Sequence, residues 1–407
     1  MKKAPILSIL FLLMFFIGGF ASSSTTNDSI IDDTELIPSA SLRLWRDTAP
    51  LYSMVVGDAD LSHAGSEIFC GGASNKVTML SGSQVNWDAD TIFNTAGTVE
   101  FLNIGDVDSS HSGNEVVVGT FQQHSFLSDN PNDPPEYWGI RVLEGYGAEW
   151  STALVFATHT SMGKLWSLRV GDFNTTHPGD EICGCWEFLM DIASVIVYTY
   201  NDGMWSSTLI YSGNMVIMDA NVGEFNTSHD GSEVILLDED GDYLQLIQKE
   251  DIYTSDLLWE APDDFAGREV EIGDVDPLHP GNELVVRTRF LPGVILLEEW
   301  NSKWVATWVL KGSVLVTDLI VDDLIQTHGG DELVVIRDFN VTMLWNRGQR
   351  WYPMRLWTDT APLCCIGSGD FDISHTGREL AVAGDSQFVT RVFTNLFLPF
   401  AVSIDQK

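Results

Sequence analysis

Seven times along the chain two oxygen donors stand two residues apart, followed by a histidine, a glycine and a glutamate, with some copies worn. Asp274-Val-Asp276-Pro-Leu-His279-Pro-Gly-Asn-Glu283 shows the wording most fully. The other copies begin at Gly57, Gly105, Gly171, Gly223, Asp322 and Gly369, and neighbouring starts lie 47 to 66 residues apart. Oxygen donors at alternate positions of a tight loop, a glycine for the turn and a carboxylate where the chain straightens suit a hard cation such as Ca2+. The metal-binding set on this reading is Asp58, Asp60 and Glu67; Asp106, Asp108 and Glu115; Asp172, Asn174 and Glu181; Asp274, Asp276 and Glu283; Asp370, Asp372 and Glu379. The architectural alternative has the aspartates capping amides of their own turn and the glutamate bonding backbone or a neighbouring unit. Two copies are degraded: the fourth has Glu224 for the first Asp, and the sixth reads Asp322-Asp323-Leu-Ile325, without the second donor.

Seven of the nine histidines belong to the motif: His63, His111, His177, His229, His279, His328 and His375. A catalytic site needs one constellation, not seven equivalent copies, so these are read as structural. Each is expected to bond a loop carbonyl through a ring nitrogen, fixing its tautomer. Zinc would need several ligands to converge. No nucleophile elbow, metalloprotease helix, phosphate loop or paired Cys/His signature occurs. Acids are too widespread for any spacing to single out a glycosidase pair, so no catalytic residue is assigned.

A period near 50 residues means repeated supersecondary units. In one unit Leu165–Val170 runs into the motif, Ile182–Trp186 leaves it, Ala193–Tyr200 alternates, Asn201-Asp-Gly203 turns, and Trp205–Tyr211 returns. Four antiparallel strands in each of seven units predict an all-β fold, a seven-bladed β-propeller of four-stranded antiparallel blades, over residues 41–407. Trp87, Trp150, Trp205, Trp304 and Trp351 open the fourth strand and are expected to pack between blades. Arg43-Leu-Trp-Arg-Asp-Thr-Ala-Pro50 nearly repeats Arg355-Leu-Trp-Thr-Asp-Thr-Ala-Pro362. Ser41–Arg46 is therefore expected as an outer strand beside Phe388–Asn395, closing the ring; Leu396–Ile404 is the alternative closing strand. The five cysteines fall in strands without a disulfide framework and read as buried thiols, with Cys70 able to reach Cys364 or Cys365 if the end units meet.

The chain has 58 acidic and 21 basic residues, a formal charge of −37. Such a surface repels phosphate backbones, so no nucleic-acid partner is expected. Lys2-Lys3, the apolar run Ile6–Phe20 and a small-residue zone read as a secretory signal peptide over 1–21, followed by a polar leader over 22–40. The run is short for spanning, so no stable membrane span is expected after cleavage. The expectation is a secreted or cell-surface protein, monomeric in its domain.

The motif, above all Gly171-Asp-Phe-Asn174 and Gly273-Asp-Val-Asp276, resembles the FG-GAP repeats of integrin α-subunit propellers and of secreted microbial proteins. The resemblance covers residues 41–407. It implies calcium between the first and second strands of a blade and a protein or glycan ligand on the opposite face. The long 120–138 insertion lies on that face, and Trp138, Trp186 and Phe290 are its candidate ligand-binding aromatics. The loop here is one residue longer than the family's, carries His near the fifth ligand's place and ends in Glu. The wording also looks like loops of calcium-dependent propeller polysaccharide lyases. The function expected is a binding or adhesion module, with a carbohydrate-active enzyme as the alternative.

Overall fold

The computed structural model describes residues 41–392 except 85, 123–136, 160–161, 173, 175–176, 189–191, 226–232, 240–241, 250–251, 263–266, 280, 290, 302, 326–327, 348–349 and 375–376, and gives no side-chain exposure for 244–249. The proposed signal peptide, the leader and the Leu396–Ile404 strand lie outside the described residues. Among those described there is no helix. Seven four-stranded antiparallel sheets follow one another along the chain, each running in order from inner to outer strand. This is a β-propeller. Leu51–Gly57 packs against both Thr98–Gly105 and Leu363–Gly369, so the first and last blades meet.

The residue patterns follow from where each strand sits. Second strands are covered by neighbouring blades on both faces, and they read as continuous apolar runs: Ile68-Phe69-Cys70, Val116–Val118, Val234–Leu237, Leu284–Val286 and Leu333–Ile336 are fully buried. Outer strands have one face in water, and Trp87, Trp150, Trp205, Trp304 and Trp351 all stand half-buried at their beginnings. Three of these tryptophans meet a phenylalanine of the preceding blade edge-on: Trp87 with Phe371, Trp150 with Phe69 and Trp304 with Phe225. The hydrophobic core is thus a ring of inter-blade seams. One seam joins Leu51, Met54 and Ile68 of the first blade to Cys365, Phe371 and Ala381 of the last.

Each blade is bent twice at fixed places. The inner strand carries an extra residue near its start, at Tyr52, Glu100, Trp166, Met218, Arg268, Thr317 and Cys364. The outer strand carries another at Ile92, Val155, Ile210, Leu258, Val309, Leu356 and Leu44. A bulge adds twist and turns two successive side chains toward one face. This is why an aliphatic–aromatic pair such as Ile92-Phe93, Leu356-Trp357 or Leu44-Trp45 can bury both members in a strand that otherwise alternates.

The last blade borrows its outer strand from the other end of the chain. Ser41–Arg46 pairs with Phe388–Val392, Ser41 opposite Val392 and Arg46 opposite Phe388. The Asp47 amide donates to the Gln387 carbonyl at 2.8 Å, Leu44 and Trp45 join the first–last seam, and the Arg43 guanidinium lies 4.2 Å over the Phe388 ring. The repeated phrase does the same job twice: Asp47 accepts from Thr48 N–H and Ser74 Oγ, and Asp359 from Thr360 N–H and Ser386 Oγ. All five cysteines are free thiols, and Cys364 Sγ donates to the Leu51 carbonyl at 2.8 Å. A chain beginning at Thr48 would expose the Phe388–Val392 edge as a template for pairing. It is expected to elute as dimers and larger species on size exclusion and to melt several degrees below the intact chain; a monomer of unchanged melting temperature would contradict this closure.

Candidate functional site

The constant of the motif is its glutamate. In all seven blades this side chain is buried, at 0–2 % exposure, and one carboxylate oxygen turns back into the loop to accept backbone amides. Glu67 accepts from Ala59 and Asp60, Glu115 from Asp108, Glu181 from Asn174 and Glu233 from Phe225. Glu283 accepts from Val275 and Asp276 at 2.9 and 3.1 Å, Glu332 from Leu324 and Ile325 at 3.0 and 2.8 Å, and Glu379 from Asp372. Charged acceptors make the stronger class of hydrogen bond, and here they satisfy amides that no strand can reach.

The second aspartate serves its own turn and the next blade at once. Asp60 Oδ1 accepts from the Ser62 amide and hydroxyl, while Oδ2 meets His63 Nδ1 at 3.0 Å and accepts the Gly147 amide of the second blade at 2.8 Å. Asp108 holds Ser110 and His111 in the same way. Asp372 holds Ser374, the Gln84 amide of the first blade and the buried Arg391 guanidinium.

A third contact was not anticipated. In the six blades where it is described, the residue before the motif glutamate reaches the first motif position of the preceding blade. Asp180 accepts the Asp106 amide and returns its own amide to the Asp106 carbonyl at 2.7 Å. Asp331 does the same to Asp274. Asn114 and Asn282 donate side-chain amides to the carbonyls of Asp58 and Glu224, Ser66 donates its backbone amide to the Asp370 carbonyl, and Arg378 pairs with Asp322. The motif glycine stands beside this latch with positive φ, at +91° for Gly179 and +86° for Gly330, where a Cβ would come within 2.6 and 2.7 Å of the Asp106 and Asp274 carbonyls. The only sequence trace is that this position is always polar: Ser, Asn, Asp, Ser, Asn, Asp, Arg.

The described histidines fall into two groups. His63 and His111 turn Nδ1 to the second aspartate. His177, His279 and His328 turn Nδ1 to the motif glutamate, at 3.3, 3.2 and 3.0 Å. In His177 and His279 the Nε2 hydrogen goes to a carbonyl of the third-to-fourth-strand hairpin, Tyr200 or Glu299. With Nε2 so engaged, the Nδ1···Oε1 contact needs one proton, carried by ring or carboxyl. His229 and His375 lie outside the described residues.

These commitments bear directly on calcium. In the first, second and seventh loops the second aspartate's oxygens are taken by N–H and O–H donors, and the glutamate faces amides. In these three loops the second aspartate and the glutamate are therefore engaged with protein donors. The first aspartates stand aside, Asp58, Asp172 and Asp370 exposed and Asp106 and Asp274 half-buried. Among the described residues, three acidic or imidazole ligand atoms come within 4.8 Å of one another only at Asp108, His111 and Glu144. In the last blade Arg391, fully buried, places its guanidinium against Asp372 and Glu379 and supplies the positive charge there itself.

The opposite end of the ring differs from what the sequence suggested. Trp138 and Trp186 are buried, at 7 % and 1 % exposure. Trp138 stacks on Phe121 at 4.6 Å and Trp186 meets Phe156 edge-on at 5.0 Å, so both seal strand ends within one seam. Neither offers an exposed ring face, although Trp138 also lines the cavity described next. Phe290 and most of the 120–138 insertion lie outside the described residues. What this end does present is a cavity of about 600 Å3 in the channel mouth, lined by the inner-strand bulges Tyr52, Glu100, Trp166, Met218, Arg268, Thr317 and Cys364.

No protein-family model matches the chain, and no curated protein matches it. Among solved structures it is similar to BBS1N, solved in complex with ARL6DN and soaked with lead, with a TM-score of 0.56 and 9 % identity over 87 % of this chain and 97 % of that one. At that identity the likeness shows the propeller fold and nothing finer.

Two predictions follow from the glutamate. Glu332→Ala should destabilise the protein by about 3 kcal/mol in denaturant unfolding, because it orphans two buried amides, and Glu332→Gln, which keeps an acceptor, by less. The sixth loop lacks the second donor, so this result is independent of any cation. Burial pushes the carboxyls of Glu67, Glu115, Glu283, Glu332 and Glu379 up to about 7 from an ordinary 4.5. The folded state then binds protons that the unfolded chain has released, so stability should fall as pH rises from about 5 through 7. Burial also works to raise Asp60, Asp108 and Asp372, but bonds from Ser62, Ser110 and Ser374 outweigh it and hold all three low, Asp372 at about 2. Their contribution is lost below about pH 4. Melting temperature should peak near pH 5; a plateau from 5 to 8 would contradict the assignment.

Proposed function

We propose that the chain is an exported binding module, acting outside the cell or at its surface, that takes its ligand on the face opposite the motif loops. The observation that carries this reading is a contrast between the two ends of the ring. At one end the described motif glutamates, the second aspartates of the first, second and seventh blades, and the latch residues hold loops and blades together. At the other, seven equivalent bulge positions carry seven different side chains around a cavity. A constant frame with a varied rim is how repeat scaffolds present binding sites. That the similar solved structure is of a protein in complex with another protein supports a protein ligand ahead of a glycan. Export rests on Lys2-Lys3 and the Ile6–Phe20 run. Placement of the motif between first and second strands supports kinship with FG-GAP repeats.

A calcium-dependent carbohydrate-active enzyme is the second reading, favoured by one observation. Inside the channel burial raises the Asp318 carboxyl, and the adjoining Glu269 raises it further. Two carboxyl groups so paired can hold a proton on one and a charge on the other.

The test exposes the full chain to protein and glycan arrays and, separately, to acidic polysaccharides with and without Ca2+. Capture without turnover is expected, together with a melting temperature that moves by less than about 1 °C between Ca2+ and chelator, since the loops are closed by protein donors. Unsaturated sugar products would transfer the function to the second reading, and a large chelator effect would restore calcium to the loops.

A further inference from the structure

Among the described residues one guanidinium of the channel mouth has no carboxylate paired with it, and its surroundings say what a partner should carry. This inference rests on the binding reading above and deepens it. Most other charges lining the cavity are matched. Arg169 bonds Asp219 at 2.9 Å and Glu271 at 3.2 Å. Arg287 bonds Glu269 at 2.7 Å and the Val316 carbonyl. Asp219 also accepts from Ser167 and Val270, Glu271 from Asn221, and Asp318 from the Leu319 and Ile366 amides. The Lys164 ammonium lies 3.1 Å from the Trp166 ring centroid, with Glu187 and Glu100 as its nearest opposite charges.

Arg268 is the exception. It occupies the inner-strand bulge of the fifth blade, exposed at the lip of the cavity. Among the described residues no carboxylate pairs with it. Its charged neighbours are cations, Arg287 and Arg289, with Lys164 beyond; the one nearby acid, Glu269, already holds Arg287. Although its side chain reaches solvent, partial desolvation by the surrounding wall and these like charges lower its hold on its proton. In a chain with 58 acids and 21 bases, setting an unpaired guanidinium beside other cations costs electrostatic energy that an anionic ligand would recover.

We propose that Arg268 anchors a carboxylate of an acidic peptide segment on a partner protein, seated in the channel mouth. The planar guanidinium receives a carboxylate through two parallel hydrogen bonds. Met218, on the next bulge, adds an apolar surface for the side chain beside that carboxylate. A glycan fits less well, because Lys164 already covers a face of Trp166 on which a sugar would stack. A densely charged polyanion is opposed by the chain's net charge of −37 and by Glu100 and Glu187 near the mouth.

The full chain is titrated with a labelled short peptide of alternating Glu and Leu, with its Gln counterpart and with polygalacturonate, at about physiological ionic strength. The Glu peptide is expected to bind at least about 10-fold more tightly than the Gln peptide. Arg268→Glu should weaken it by about 10- to 100-fold, and Arg268→Lys by less. Arg350→Glu, the same charge change at the motif end, should leave binding unaltered. All three variants should keep the wild-type melting temperature. The inference falls if Arg268→Glu binds the Glu peptide as wild type does, if polygalacturonate binds and the peptide does not, or if neither binds. A ligand found on the arrays whose capture survives Arg268→Glu would leave the binding module standing and remove this anchor alone.

Discussion

The structure depends on seven buried carboxylates that turn back on their own loops. Burying a carboxylate is costly unless its oxygens are bonded. Each motif glutamate accepts an amide from seven or eight positions earlier, and Glu67, Glu283 and Glu332 accept both, as Glu283 does with Asp276 and Val275. This fixes the loop, and the fixed loop carries the groups the next blade needs: the carbonyl of the first aspartate for the latch and an oxygen of the second for the hairpin. One intramolecular bond thus sets up two inter-blade ones, and repetition around the circle closes it. The described histidines complete the arrangement by setting Nδ1 against the buried acid or against the aspartate beside it.

The degraded copies show why the glutamate matters more than the aspartates. The fourth copy has Glu224 for the first Asp, and the sixth has Ile325 for the second. Both keep the carboxylate bond, from Phe225 in one and from Leu324 and Ile325 in the other. The donor is a backbone N–H, which every non-proline residue supplies. A side chain that acts on backbone cannot be replaced by its partner's variation, whereas a side chain acting on another side chain can be lost with it. The same logic covers the latch, where Asn282 needs only the Glu224 carbonyl.

Strand order and repeat period were legible because they are written within each unit, as alternation, apolar runs and turn residues. Contacts between units were less so. The latch position is polar in every copy, but nothing in a single unit tells that Asp180 faces Asp106 across a seam. The outer bulges left a sign, two adjacent apolar residues in an alternating strand, as at Val155-Phe156, that is easily taken for irregular patterning. Trp138 and Trp186 were misplaced for a related reason. They stand near strand ends on the expected ligand face, yet a propeller blade is covered from both sides, so a large ring there finds a neighbour's ring before it finds water. The seam that holds Trp186 also holds Phe156, Tyr198 and Trp138.

The distribution of charge follows from the same frame. The motif glutamates and the second aspartates Asp60, Asp108, Asp276 and Asp372 are drawn inward at the motif end, where amides, histidines and, in the last blade, Arg391 answer them. Acids and bases that do not repeat collect around the channel, where the seven inner strands converge. Fixed geometry at the bulges gives each blade one side chain at the lip, and Cys364 and Thr317 there also bond a neighbouring blade's carbonyl, of Leu51 and Leu363. The motif residues that latch blade to blade lie at the other end of the inner strands from these lip positions. That separation, set by which end of the inner strand carries the motif, is the physical reason for looking for function at the channel mouth and for stability at the loops.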